Sequence, residues 1–217
     1  MVYKGVIFDL DGTLLDTLDD LTDAVNAVMK KQAYPLHDKQ AIRSFVGSGL
    51  RSLMQRAIPE KERSEEMIGQ CFGEMMTVYR ENYKDKTAPY SGIAGLLDWM
   101  VGQNIPMAVF SNKADELTKG LVAEKLPFSF QAVKGMTTEE LKKPNPTVAL
   151  ELAAVMDLKP EECLYVGDSD TDMITANNAG MYAVGVTWGF RDREDLISSG
   201  ARQLIEEPTE LMSLFGA

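Results

Sequence analysis

The sequence predicts an α/β fold: a doubly wound parallel sheet with helices on both faces, interrupted by a small all-helical insert. Three observations predict it. From residue 92 onward, apolar runs of strand length alternate with helix-length segments, the rhythm of strand–helix–strand units. A further apolar run, Val6-Ile7-Phe8, opens the chain. Between these two regions, residues 17–84 carry helical periodicity and no strand pattern. The expected division is therefore a core of residues 1–16 and 85–217 and a helical insert of residues 17–84.

Composition bounds what such a chain does. Its 217 residues suit one large domain or a domain with an insert, and 45% hydrophobic content supports a real core. No apolar run reaches the roughly 18 residues of a membrane span. The start, Met-Val-Tyr-Lys-Gly, leads straight into a strand rather than through a signal-peptide pattern. A cytoplasmic location with no membrane partner is expected. Cys71 and Cys163 stand apart without metal-type spacing and are expected as small core residues in a reducing compartment. A net charge of −11 argues against nucleic acid, because phosphate backbones demand a basic footprint. It leaves room for a small phosphorylated ligand, since one divalent cation and one or two lysines make a local positive site.

The first strand ends in Asp9-Leu10-Asp11-Gly12. Strand side chains alternate, so Asp9 and Asp11 point the same way at its end. Two close carboxylates repel; a cation between them, or a proton kept on one of them as an acid, relieves the repulsion. Gly12 suits a sharp exit. A helix follows over 17–31, with Leu18, Leu21, Val25, Val28 and Met29 at helical spacing, Thr17 as N-cap, and Asp19 and Asp20 in the first turn. Tyr34-Pro35 stops it. The single histidine, His37, lies in a polar connection and is expected to be solvated, without a role.

Short helices over 38–45 and 50–58 flank Val46-Gly47-Ser48-Gly49. The glycine pair is either a plain interhelical turn or a binding loop. Arg51 beside it either meets a substrate carboxylate or is surface. A longer helix is expected over 60–83, its methionines packing a core.

The alternating part then reads as helix 92–103, strand 105–110, helix 114–125, strand 131–134, helix 144–156, strand 163–166, helix 171–179 closed by Gly180, strand 182–186, helix 192–199, strand 203–205 and helix 208–215. Ligands of such sheets gather at the carboxyl ends of the strands. Asp9 and Asp11, Ser111 and Asn112, and Asp168 all fall there.

Each polar cluster has an ordinary explanation and a chemical one. Ser111-Asn112-Lys113 is either helix capping or a set of donors for a phosphate oxygen. In Lys142-Lys143-Pro144, one lysine is a candidate for the fixed cation that a phosphoryl dianion needs; Lys143 is favoured, with Lys142 its local competitor. Gly167-Asp168-Ser169-Asp170-Thr171-Asp172 carries three acids in five positions, a density poorly explained by surface solvation. Magnesium prefers one or two carboxylates with waters and phosphate oxygens, which Asp9 and Asp168 would supply with a backbone carbonyl. Asp172 lies about one turn beyond Asp168.

The string Phe-Asp-Leu-Asp-Gly-Thr-Leu, with Ser111-Asn112, Lys143-Pro144 and Gly-Asp-Ser-Asp following in order, resembles the haloacid dehalogenase-like superfamily of phosphohydrolases. The resemblance implies a Rossmann-like core with a small helical cap inserted after the first motif. It implies Asp9 as a nucleophile that takes the phosphoryl group, and Asp11 as general acid, then base. Ser111 and Asn112 would hold phosphoryl oxygens, and Lys143 would offset charge on nucleophile and phosphate. Asp9, Asp168 and the main-chain carbonyl of Asp11 would ligate Mg2+, with Asp172 orienting the metal shell or Lys143. The stretches 45–51, 111–113 and 185–189 look like the phosphoglycolate phosphatase branch, which implies 2-phosphoglycolate as substrate, with Gly47 and Arg51 as cap contacts, in a monomer or homodimer. Other branches fit less well. Sugar phosphomutases usually carry Val where this chain has Thr13, and dehalogenases lack the carboxylate of Asp11. A pyrophosphatase would share the same core chemistry, and a non-catalytic binding protein would not need every reactive position filled.

Overall fold

The computed structural model describes residues 3–216. The chain divides into two compact units, one of residues up to 15 and from 89 onward, the other of residues 16–88. The first is built on six parallel strands: β1 (Gly5–Phe8), β2 (Met107–Ala114), β3 (Ala132–Met136), β4 (Cys163–Gly167), β5 (Tyr182–Val186) and β6 (Gln203–Ile205). They lie in the order β3-β2-β1-β4-β5-β6. The strand order reverses direction at β1, so β1 and its neighbours flank the crevice where open α/β sheets bind ligands.

The second unit is helical apart from the strand residues Asp16 and Ala88 at its ends: α1 (Leu18–Lys31), α2 (Lys39–Phe45), α3 (Leu50–Ala57) and α4 (Glu65–Asn82). Leu21, Val25 and Met29 of α1 are buried with Ile42, Leu53 and Met75, so the methionines pack a core as expected. Three expectations change here. Thr17 sits at the N-cap of α1 but its side chain makes no cap bond; Asp16 Oδ1 takes the Leu18 N–H instead, at 3.1 Å. The helix expected from residue 60 begins at Glu65, after a separate 3-10 turn at Glu60–Glu62. Ser64 caps it by accepting the Met67 N–H, while Arg63 turns back to the carbonyls of Ile58 and Arg56, which the end of α3 leaves unpaired. His37 is not simply solvated. Its Nε2 lies 2.7 Å from the Ala57 carbonyl, its backbone is held on both sides by Asn26, and its ring meets Phe45 edge-on.

The remaining helices, α5 (Ile93–Gly102), α6 (Asp115–Lys125), α7 (Thr147–Val155), α8 (Asp170–Asn178) and α9 (Arg193–Ser198), belong with the sheet. Alternation divides the strands between two layers. Ile7, Phe110, Tyr165 and Ala183 pack with Leu152 of α7, Met173 of α8 and Leu196 of α9. The intervening Val6, Phe8, Val109, Leu164 and Val184 are buried as well. Both faces are covered, which is why these strands read as unbroken apolar runs. The chain end expected as a helix is a 3-10 segment, Pro208–Phe215. No helix among the described residues is long and apolar enough to cross a membrane.

One strand differs in a way that matters for the site. The expected strand 105–110 runs instead from Met107 to Ala114, through Ser111, Asn112 and Lys113. Its pairing with β3 shifts register between Phe110 and Ala114, where Ala114 faces Met136. Gly135 permits the approach: a Cβ there would lie 2.6 Å from the Lys113 carbonyl.

Candidate active site

The carboxyl ends of three adjacent strands and one loop supply the polar side chains. Asp9 follows β1, Asn112 lies near the end of β2, Asp168 follows β4, Asp172 is in the first turn of α8, and Lys143 is on the loop before α7. Lys143 is the hub. Its Nζ donates to Asp9 Oδ1 at 2.6 Å and to Asp172 Oδ1 at 2.7 Å, and lies 5.6 Å from the centre of the Phe110 ring. Its backbone is clasped by the Asn112 side chain, which accepts the Lys143 N–H at 2.8 Å and donates to the Lys143 carbonyl at 3.3 Å. Lys142, the competing lysine, pairs with exposed Glu139.

Asp172 is fixed from behind. Its Oδ2 accepts the Ser169 N–H at 3.1 Å and the Ser169 hydroxyl at 2.5 Å, a capping box at the start of α8. A Cβ on Gly167 would fall 2.3 Å from Asp172 Cγ, so glycine makes room for that carboxylate. Asp168 is held by the Phe190 N–H at 2.6 Å on Oδ2. Two glycines enclose it: a Cβ on Gly12, whose φ is +91°, would come within 2.2 Å of Asp168 Oδ2, and one on Gly189 within 2.3 Å of Asp168 Cβ.

Asp11 forms a second pair. Its Oδ1 accepts from Lys113 Nζ at 2.5 Å and its Oδ2 from Ser111 Oγ at 3.3 Å, while Ser111 Oγ also takes the Lys113 N–H. Trp188 Nε1 donates to the Thr13 carbonyl at 3.0 Å and pins the Asp-Gly-Thr loop. Gly47 (φ +121°) and Arg51 belong to the helical unit, where Arg51 pairs with Glu65 at 2.8 Å in an exposed contact.

The charges do not balance within the buried cluster. Asp9, Asp168 and Asp172 face one buried ammonium, that of Lys143, with a smaller pull of Arg191 on Asp168. Burial pushes the Asp9 carboxyl well above its usual range; repulsion from Asp172 and Asp168 adds to this, against the pull of Lys143. Burial, then Asp172, raises Asp168 to about 7, although the Phe190 N–H holds it down. Burial alone would lower Lys143, but Asp172 and Asp9 outweigh it and hold the ammonium well above its usual value.

A cation fits this imbalance. One carboxylate oxygen from each of Asp9, Asp168 and Asp172 lies within 4.8 Å of the others. Both Asp172 oxygens are already engaged, whereas Asp9 and Asp168 each hold only one partner among the described residues. Two free carboxylate oxygens at the ends of neighbouring strands are the donor set a divalent ion takes when it keeps several waters.

Four contributors had no role in the sequence reading. Ser169 had a local signal, an acid three residues on, as in a capping box. Gly189 entered only as the end of the stretch 185–189 and Phe190 not at all, because their contacts with Asp168 span about 20 residues. Lys113 was seen only as part of its tripeptide, and its partner Asp11 lies 102 residues away.

The chain is similar to known proteins over nearly its whole length. A family model described as haloacid dehalogenase-like hydrolase matches residues 6–186. A phosphoglycolate phosphatase of Chromobacterium violaceum is 35% identical over 97% of this chain and 96% of its own length. One from Pseudomonas putida is 30% identical over 95% of this chain and 78% of its own. A crystal structure from Lactobacillus delbrueckii subsp. bulgaricus, provisionally assigned as a phosphoglycolate phosphatase, superposes with a TM-score of 0.93 at 30% identity, covering 100% of both chains.

Proposed function

The chain belongs to the haloacid dehalogenase-like hydrolases, and we propose that it hydrolyses 2-phosphoglycolate with Mg2+ through an aspartyl-phosphate on Asp9. That it is a phosphatase, a phosphoric monoester hydrolase, rests on the family and on relatives that match nearly its whole length. The metal and the aspartyl-phosphate are supported by one observation: Lys143 joined to both Asp9 and Asp172 beside Asp168, three buried carboxylates on one buried ammonium; 2-phosphoglycolate is supported by the relatives that carry its name.

Asp9 and Asp168, with the main-chain carbonyl of Asp11, would hold the magnesium ion. When bound, it would neutralise carboxylate charge and draw charge from the phosphoryl oxygens. In the first step an Asp9 carboxylate oxygen bonds to phosphorus, the ester P–O bond breaks, and Asp11 gives its proton to the leaving alkoxide. In the second, water attacks phosphorus, Asp11 takes its proton, the bond to Asp9 breaks, and inorganic phosphate leaves. Lys143 steadies the nucleophile and Asp172 aims Lys143; Ser111 and Asn112, whose side chains hold Asp11 and the Lys143 backbone before substrate arrives, would turn to the phosphoryl oxygens when it binds. The helical insert, residues 17–84, serves as a cap that selects substrate, with Gly47 and Arg51 as its contacts. The protein works in the cytoplasm on a small metabolite, with neither nucleic acid nor membrane as partner, as a monomer or homodimer.

The test is phosphate release from 2-phosphoglycolate, sugar phosphates, pyrophosphate and an aryl phosphate, with magnesium and with chelator. A metal-dependent preference for 2-phosphoglycolate is expected. Release led by pyrophosphate or a sugar phosphate would refute the substrate, and full turnover in Asp9→Asn would refute the nucleophile.

A further inference from the structure

We propose that Lys113 is a positioning residue for Asp11, holding its carboxylate in the single orientation that both proton transfers need; this rests on the phosphatase reading of Asp9 and Asp11. The side chain of Lys113 is 2% exposed and that of Asp11 13% exposed. Lys113 is therefore shut in, and Asp11 remains reachable from one side. A buried ammonium is costly unless paired, and the Asp11 carboxylate pairs with it at 2.5 Å.

The Lys113–Asp11 contact fixes one carboxylate oxygen, and Ser111 Oγ fixes the other at 3.3 Å. Ser111 is itself tied to the Lys113 N–H. Two anchors from one strand end leave the carboxylate little torsional freedom, and the value of a proton donor depends on such alignment.

The scaffold beneath Lys113 is rigid. Its carbonyl accepts the Thr118 hydroxyl at 3.2 Å, and Gly135 packs against it where no Cβ fits. Asp115, two residues on, accepts the Gly135 N–H at 2.9 Å. The strand that continues to Ala114 thus sets the base of the lysine, and the lysine sets Asp11.

A positioning role separates from a structural one by leaving group. A nitrophenolate departs without much help from an acid, whereas the alkoxide of an alkyl ester requires it. In K113M, turnover of an alkyl phosphate such as 2-phosphoglycolate is expected to fall about 100-fold, the scale of acid–base assistance, with KM little changed. With 4-nitrophenyl phosphate the same variant is expected to show a burst of about one nitrophenolate per enzyme and then slow turnover, because the first step survives and the water step does not. The double variant D11N/K113M is expected to be no slower than D11N alone.

Thermal melting in chelator checks that K113M folds. K113Q, which keeps a donor near Asp11 without the charge, serves if it does not. Unchanged turnover, a rise in KM alone, equal losses on both esters without a burst, or additive losses in the double variant would each overturn the proposal. A wild-type chain that releases phosphate from neither ester overturns the underlying phosphatase reading as well.

Discussion

Lys143 and Asp172 meet at 2.7 Å in a pair that is almost wholly buried. They come from different parts of the fold, a loop before α7 and the first turn of α8, and Ser169 holds the far oxygen of the carboxylate. The lysine is thereby aimed at Asp9 by a contact that does not itself need to touch a ligand. Removing one partner of a buried pair leaves an uncompensated charge and costs about 3–5 kcal/mol. Lys143→Met is expected to lose stability on that scale in urea unfolding with chelator present, and to lose phosphatase activity altogether. The stability loss should be larger at pH 8 than at pH 5, because at the lower pH the stranded carboxylates can take protons. Equal losses at both pH values would contradict the charge account.

The metal-free protein should become less stable as pH rises through the neutral range. Asp168 sits at about 7 in the fold and near 3.8 when free of it. Between those values the folded chain binds a proton that the unfolded chain does not, so this contribution is full below pH 4 and lost as pH climbs to about 7. Each such group changes stability by about 1.4 kcal/mol per pH unit at most. Melting temperatures in chelator should fall across this window, and added magnesium should raise them more at pH 8 than at pH 5. A magnesium effect independent of pH would remove Asp9 and Asp168 as the ion's ligands.

Much of the fold was legible because it is written locally. The strands are apolar runs because both faces of the sheet are covered, and Asp9, Asp11 and Asp168 stand where such runs end. The end of β2 was not legible. Ser111, Asn112 and Lys113 look like a polar stop, yet they continue the strand, because their partners Asp11 and Lys143 lie about 100 and about 30 residues away in sequence. The same holds on a smaller scale for His37, whose partner Ala57 is 20 residues on. Thr17 was misread for a different reason: its backbone, at φ −105° and ψ 4°, is not in the extended cap geometry and its hydroxyl caps no helix N–H, while Asp16, one residue earlier, takes the Leu18 N–H. Lys143 over Lys142 could be favoured by sequence but not decided by it, since only burial separates them.

Gly12→Ala tests the fit around Asp168 directly. The residue has a φ of +91°, and an added Cβ would lie 2.2 Å from Asp168 Oδ2. Left-handed strain of about 1 kcal/mol combines with overpacking of about 1–3 kcal/mol. The expected outcome is a protein that melts lower and binds magnesium at least about tenfold more weakly, since about 1.4 kcal/mol is a factor of ten. Calorimetric titration of the ion reads this without any turnover. Unchanged affinity would show that Asp168 is not held by this glycine.

Cys163 should be chemically silent in the native state. Burial pushes its thiol up to about 11, with Glu162 and Glu161 adding to the shift, so almost no thiolate exists near pH 8. Labelling by an aromatic disulfide at fixed pH is expected to await unfolding, with a rate that rises with denaturant. Prompt native labelling at Cys163, located by peptide mapping, would mean that β4 opens locally.

The helical unit depends on a buried carboxylate of its own. Asp20, in the first turn of α1, accepts the Thr87 N–H at 2.9 Å, the Thr87 hydroxyl at 2.7 Å and the Lys86 N–H at 3.0 Å. It therefore ties the returning chain at residues 86–87 to the helix on which the unit begins. Asp20→Ala would leave the two buried Thr87 donors without this partner, at about 1–3 kcal/mol for the group. Hydrogen exchange at the amides of Lys86 and Thr87 is expected to accelerate by about 10-fold or more, while amides in the middle of β4 keep their protection. Protection lost equally in β4 would show that Asp20 supports the whole chain rather than this one junction.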